Sequence, residues 1–265
     1  DDDFDHHLSL AALYEASGDF SGAAAEYQAA LSVMEPDPEA EESLRLAQAG
    51  ALSKVCRLDE ALAVLESEGA PGESRSAPYL VTLAGLLESH GDEQRAADAY
   101  AALLRAYDDL AVTHYVVAYY QYRQDRLDEA VAEAQRSLEL SPEFGFAWGA
   151  LGQFLEAQGE LEQAEEAYRT SLSHLADNSD AFLGLASIAL QQDRPEDALR
   201  YAEQALEHVP GYSALVPDPA QAITVYSRIY LGLAHERLAR QAEARADFAQ
   251  AVDLAQQAVD SLPDY

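Results

Sequence analysis

Cysteine, lysine, long apolar runs and positive charge are all scarce in this chain, and each scarcity excludes something. Cys56 is the only cysteine, so no intrachain disulfide is available and the redox compartment stays open. No stretch approaches the ~18 apolar residues of a membrane span, so no transmembrane segment is expected. Glycine and proline number 14 and 10 among 265 residues, while 49% of the chain is hydrophobic; that composition buries a core and is not that of a disordered acidic tail. Sixteen basic side chains face 48 acidic ones, for a net charge of -32. A polyanion of that density is repelled by phosphate backbones, which removes nucleic acid from the expected partners.

Lys54 is the one lysine. A lysine-poor, carboxylate-rich surface fits a bacterial or archaeal protein working in high salt, and it equally fits ordinary solubility from charge in a protein of a GC-rich genome. The chain opens at Asp1 rather than methionine, which is compatible with a leader removed ahead of it. Localisation is therefore open between cytoplasmic and extracytoplasmic. Chemistry-bearing motifs are missing as well: there is no glycine-rich phosphate loop, nucleophile elbow or paired-carboxylate motif. Adjacent His6 and His7 project about 100° apart on a helix and make a poor metal pair. Cys56 has Lys54 and Arg57 near it but no identifiable histidine partner, and reads as a structural thiol. No catalysis, cofactor or metal is expected.

What the chain does have is a ladder of alanines. Ala23, Ala61, Ala96, Ala130, Ala164, Ala198 and Ala244 recur, the middle four at steps of 34 residues, and twelve residues before each stands another small residue: Ala11, Ala49, Ala84, Ala118, Gly152, Ala186 and Gly232. Residues 145–178 show the unit best. Trp148, Leu151, Gly152 and Leu155 lie at spacings of three and four on one helix, and Leu161, Ala164, Tyr168 and Leu172 do so on a second. Gly159 marks the turn between them, with Gly18, Gly91, Asp125 and Asp193 at equivalent places and Cys56 and Ala239 as exceptions. Acidic residues such as Asp128, Glu129, Glu196 and Asp197 open the second helices and complement the positive end of the helix dipole.

This pattern resembles the tetratricopeptide repeat family, whose 34-residue unit is a helix-turn-helix with small residues where the helices cross. The resemblance covers nearly the whole chain. It implies an all-α fold, a right-handed superhelical solenoid of about seven repeats in a single domain over 1–265. The repeats fall near 4–37, 42–75, 77–110, 111–144, 145–178, 179–212 and 225–258. Three interruptions break the period: an acidic link at 35–39, a breaker-rich stretch at 69–74 following a short helix, and an insertion at 213–224 whose Pro219 suits the first turn of a longer helix. The large residue that follows the second-helix alanine is Tyr27, Leu65, Tyr100, Tyr168 or Phe248, with Ala134 and Ala202 in the remaining copies.

Function in such a family is sought on the first helices, which line the concave side. Val112, Tyr115, Tyr119 and Tyr122 form a stripe pointing about 140° away from His114, Val117, Ala118 and Gln121, the set expected to face the second helix. Two readings stand: an exposed aromatic groove, or packing against the neighbouring repeat. In the first, Phe146, Gln153, Leu183 and Ser187 continue the groove, Arg123 borders it, and Gly85 and Gly149 leave room for a ligand. Some members of the family hold a terminal carboxylate with paired Lys and Asn; the corresponding places here are Leu8, Ala12, Leu46, Gly50, Val81 and Gly85, which argues against that clamp. The resemblance implies a protein-interaction scaffold whose partner is a protein or peptide segment, apolar or aromatic with some positive charge. The alternative is self-assembly, a homo-oligomer formed through the terminal helices at 225–238 and 242–262.

Overall fold

The computed structural model describes residues 2–35, 37–67, 75–209 and 219–260. The described residues form fourteen α-helices and no strand. The chain divides into two compact units, Asp1–Asp108 and Asp109–Tyr265. The first holds α1 (Asp2–Ser17), α2 (Phe20–Val33), α3 (Pro38–Lys54), α4 (Leu58–Glu66), α5 (Ala77–His90) and α6 (Glu93–Ala106). The second holds α7 (Ala111–Arg123), α8 (Leu127–Leu140), α9 (Gly145–Gln158), α10 (Leu161–His174), α11 (Ser179–Gln191), α12 (Pro195–Glu207), α13 (Pro219–Arg237) and α14 (Gln241–Asp260). Within each unit helices pack in consecutive pairs, and α9 also touches α7 and α11 directly, as α11 touches α13.

The alanine ladders are the reason for the pairing. Ala11, Ala23, Ala49, Ala61, Ala84, Ala96, Ala118, Ala130, Ala164, Ala186 and Ala198 are completely buried, and Gly152, Gly232 and Ala244 are buried with them. Small residues at a crossing let two backbones approach, and larger neighbours fill the space around them. Between the helices of each pair, one residue takes the left-handed conformation: Gly18, Gly91 and Gly159 at φ of 80–85°, and Cys56, Asp125, Asp193 and Ala239 at 56–59°. These are the seven turn positions read from the sequence, exceptions included. The next residue in each turn donates its N–H to a carbonyl five residues back, as in Glu160 to Leu155 (2.9 Å) and Arg126 to Gln121 (3.0 Å). This six-to-one bond is the one that satisfies the carbonyls left open at a helix end.

The second helix then begins around the ladder alanine. Ala130 donates to the Arg126 carbonyl and Ala164 to Glu160, closing the first helical bond, and Asp59, Glu93, Asp128, Glu129, Glu162, Glu196 and Asp197 occupy first turns near the positive helix end. Serine ties the two helices at their other end: Ser137 Oγ donates to the Ala111 carbonyl and Ser171 Oγ to the Gly145 carbonyl, both at 2.7 Å.

The interruptions differ in outcome. The acidic link is shorter than the sequence suggests, because Asp37 caps α3, accepting from the N–H groups of Glu39 and Ala40, and Pro38 is already helical. Helix α4 is indeed short, at nine residues; 69–74 lie outside the described residues. Pro219 opens the nineteen-residue α13 as expected, while 213–218 lie outside the described residues. No helix among the described residues is long and apolar enough to cross a membrane.

Candidate functional site

The tyrosine stripe of α7 lies in the second unit, and the face opposite it is committed to the helix pair. His114, Val117 and Ala118 are buried, and His114 Nδ1 lies 2.6 Å from Glu133 of α8. That leaves Tyr115, Tyr119 and Tyr122 for α9. Tyr119 meets Phe154 edge-on at 5.3 Å between ring centres and Tyr122 lies 5.0 Å from the same ring, while Tyr115 packs 5.2 Å from Phe144 and 5.2 Å from Tyr119. Phe154 is fully buried and the three tyrosines are half-buried around it. The rings thus pack against the neighbouring helix pair, the second of the two sequence readings, and each stays partly exposed.

Tyr119 donates to Gln153 Oε1 at 3.2 Å and is also a hydrogen-bond partner of Tyr115. Burial pushes both phenols above their ordinary pKa, Tyr119 well above, so both keep their protons. Phe146 caps the layer, 53% exposed, with its ring 6.1 Å from Phe144. Tyr115, Tyr119, Phe146 and Gln153 come together on α7 and α9, with Arg123 exposed at the end of α7.

Three expectations are corrected. Leu183 does not continue the surface; it is only 9% exposed and packs with Phe182, Ala205 and Ile223 of α13. Ser187 belongs to a different cluster, donating to Glu156 Oε1 at 2.6 Å. Gly149 leaves no room, since a methyl there would stand 2.9 Å from the Asn178 amide and 3.3 Å from Ser171 Oγ, whereas a methyl at Gly85 would meet nothing within 4 Å.

Two carboxylates escape a reading of the sequence. Glu156 organises α9, α10 and α11: its Oε2 accepts from Tyr168 at 3.0 Å and its Oε1 from Ser187 at 2.6 Å and Gln191 at 3.0 Å. A signal for it is present, because Glu88 and Tyr100 repeat the same twelve-residue pairing at 3.1 Å. Asp180, at the start of α11, is exposed, has no hydrogen-bond or ion-pair partner among the described residues, and couples electrostatically to Tyr115 and Tyr119 two helix pairs earlier. Its solvent-accessible carboxyl is nevertheless raised above the usual carboxylate range by the protein mass around it.

Among the described residues no group of three or more histidine, cysteine, aspartate or glutamate side chains is arranged to hold a metal ion.

Known proteins agree on the architecture. Two models described as tetratricopeptide repeat match residues 115–181 and 157–216. The crystal structure of a tetratricopeptide repeat protein from Parabacteroides merdae ATCC 43184 superimposes with a TM-score of 0.68 at 15% identity, over 96% of this chain and 94% of that one. The type IV pilus biogenesis factor PilW does so with a TM-score of 0.64 at 16% identity, over 81% and 93% of the two chains. These are likenesses of fold. A plant protein, the Protein CTR9 homolog of Arabidopsis thaliana, is 26% identical over 62% of this chain, and the match spans only 15% of that relative's length. With small residues buried at every helix crossing, left-handed turns at the predicted places and these matches, residues 115–216 carry tetratricopeptide repeats within a fold like that of this family, whose members generally act as scaffolds for protein–protein interaction.

Proposed function

We propose that the face of α7, α9 and α11 in the second unit binds an extended segment of a partner protein, and that this chain is a scaffold rather than an enzyme. One observation carries the reading. Val112 and Phe146, 34 residues apart in the same register, stand 49% and 53% exposed beside a layer of half-buried tyrosines. Rigid aromatic edges bury area at small entropic cost and their hydroxyls bond polypeptide backbone, while the acidic surface draws in a segment with some positive charge.

The residues that separate binding from folding are the exposed ones. Replacing Phe146 and Val112 together by alanine is expected to weaken partner binding at least tenfold, as loss of central apolar anchors does, with the melting temperature unchanged because neither side chain is buried. Crosslinking in the native salt followed by mass spectrometry identifies the partner, and titration of wild type and double variant against it reads the effect. Equal affinities would remove this face from the function.

Self-assembly is favoured by a separate observation: on α14, Val252 and Val259 stand 67% and 60% exposed, seven residues apart on one helix face. Light scattering across concentration decides it, since a constant monomer mass ends that reading.

A further inference from the structure

Six residues before the first-helix member of each small-residue pair, the second unit carries Val112, Phe146, Asp180 and Tyr226, and all four are exposed. The shared register places one of them on each of α7, α9, α11 and α13, first helices that touch in sequence. They form a row across the unit: apolar, aromatic, acidic, aromatic.

Resting on the binding face proposed above, we infer that this row receives an extended segment with an arginine or lysine held by Asp180 and apolar side chains on Val112, Phe146 and Tyr226. The repeat of the helices sets the spacing. Packed helices lie 8–10 Å apart and an extended chain advances about 3.3 Å per residue, so adjacent positions of the row match side chains about three residues apart. The segment therefore reads apolar-x-x-apolar-x-x-cation-x-x-apolar, in one chain direction or the other.

Asp180 is the anchor for three reasons. It is the acidic member of a row otherwise built from apolar and aromatic side chains. Elsewhere in the second unit the more deeply placed carboxylates have donors: Glu156 has three, Glu165 pairs with Arg169 and Arg194, and Asp247 pairs with Arg228 and His235. Asp180 has none among the described residues. The protein around it also disfavours its isolated charge, so a guanidinium or ammonium arriving there relieves that penalty and gains a charge-assisted bond.

The test uses the whole chain and a random dodecapeptide library displayed on phage. Selected sequences are expected to share the three-residue spacing with arginine or lysine at the third place, or at the second if the chain runs the other way. A fluorescein-labelled consensus peptide and its Arg→Gln form are then titrated by anisotropy against wild type, Asp180→Asn and Phe146→Ala. Wild type is expected to prefer the arginine form by about tenfold, Asp180→Asn to bind the two forms equally, and Phe146→Ala to weaken both in proportion. Asp180→Asn stays folded: a raised folded-state pKa means stability falls as pH rises through it, and the amide avoids that loss. If Phe146→Ala weakens binding but Asp180→Asn keeps the arginine preference, the cation anchor is wrong and the binding face stands. If selected peptides bind both variants as they bind wild type, or no peptide is selected, both readings fall.

Discussion

Replacing Gly184 by alanine is expected to destabilise the second unit by about 2–4 kcal/mol, although the same change inside most helices is favourable. The ordinary gain is about 1 kcal/mol, because glycine is the poorer helix former. Here the methyl has no space: its position lies 2.1 Å from Tyr168 Cζ and 2.6 Å from its hydroxyl oxygen. The ring cannot move aside cheaply. It is 3% exposed, lies against Gly152 on its other side, and its hydroxyl is held by Glu156. Overpacking of this kind costs roughly 1–3 kcal/mol, and displacing a hydrogen bond to a charged acceptor about 1.5–3 more. These exceed the propensity gain. Gly85→Ala supplies the control, because a methyl there meets nothing within 4 Å and the helix gain is unopposed. Urea unfolding reads both, and a Gly184→Ala midpoint at or above that of wild type would contradict the packing described around Tyr168.

Removing Phe154 has a comparable cost for the opposite reason. Its side chain is fully buried, and the rings of Tyr119 and Tyr122 pack on it at 5.3 and 5.0 Å. Phe154→Ala leaves a cavity, and such truncations cost about 3–5 kcal/mol. Both ring–ring interactions disappear with the side chain, each worth roughly 0.5–1.5 kcal/mol, so the upper half of that range is expected in urea unfolding. Partner binding should fall too, since the tyrosine layer rests on this ring. Phe146→Ala, on the neighbouring exposed position, should leave the unfolding midpoint where it is. A Phe154→Ala loss under 1 kcal/mol would mean that the tyrosines are supported by something other than α9.

The contrast between Phe146 and Phe154 marks how far the sequence can be read. Periodicity locates the helix crossings and all seven left-handed turns, because those depend on local backbone geometry and on which residues tolerate close approach. It also shows that Tyr115, Tyr119 and Tyr122 are not needed within their own helix pair. What register cannot say is what the next element places over a position. Leu183 shares its register with Tyr115 but is covered by Ile223, from a helix that resumes after an irregular insertion. Gly149 is filled by Asn178, whose amide turns inward to Ser171 at 2.8 Å rather than capping α11. Asp180 escapes notice because a carboxylate among 48 acidic residues looks like surface charge. Its coupling to Tyr115 and Tyr119 and its place in the row beside Phe146 distinguish it.

The division of labour among the aromatics follows from burial. Tyr168, Phe154 and Tyr119 hold first helices together, so their loss reports on stability. Val112, Phe146 and Tyr226 stand about half exposed and lie outside the buried cores. Exposed apolar side chains lined up across successive helices mark an interaction surface more readily than isolated ones do.

The most direct test of that surface is photocrosslinking from two positions on the folded chain. A benzoylphenylalanine introduced at Phe146, on the row, and another at Glu166, exposed on the second helix α10, are irradiated in the presence of the native partner or the selected peptide. Adducts at position 146 and none at 166 are the predicted result; adducts only at 166, or equal labelling at both, would contradict binding across α7, α9 and α11.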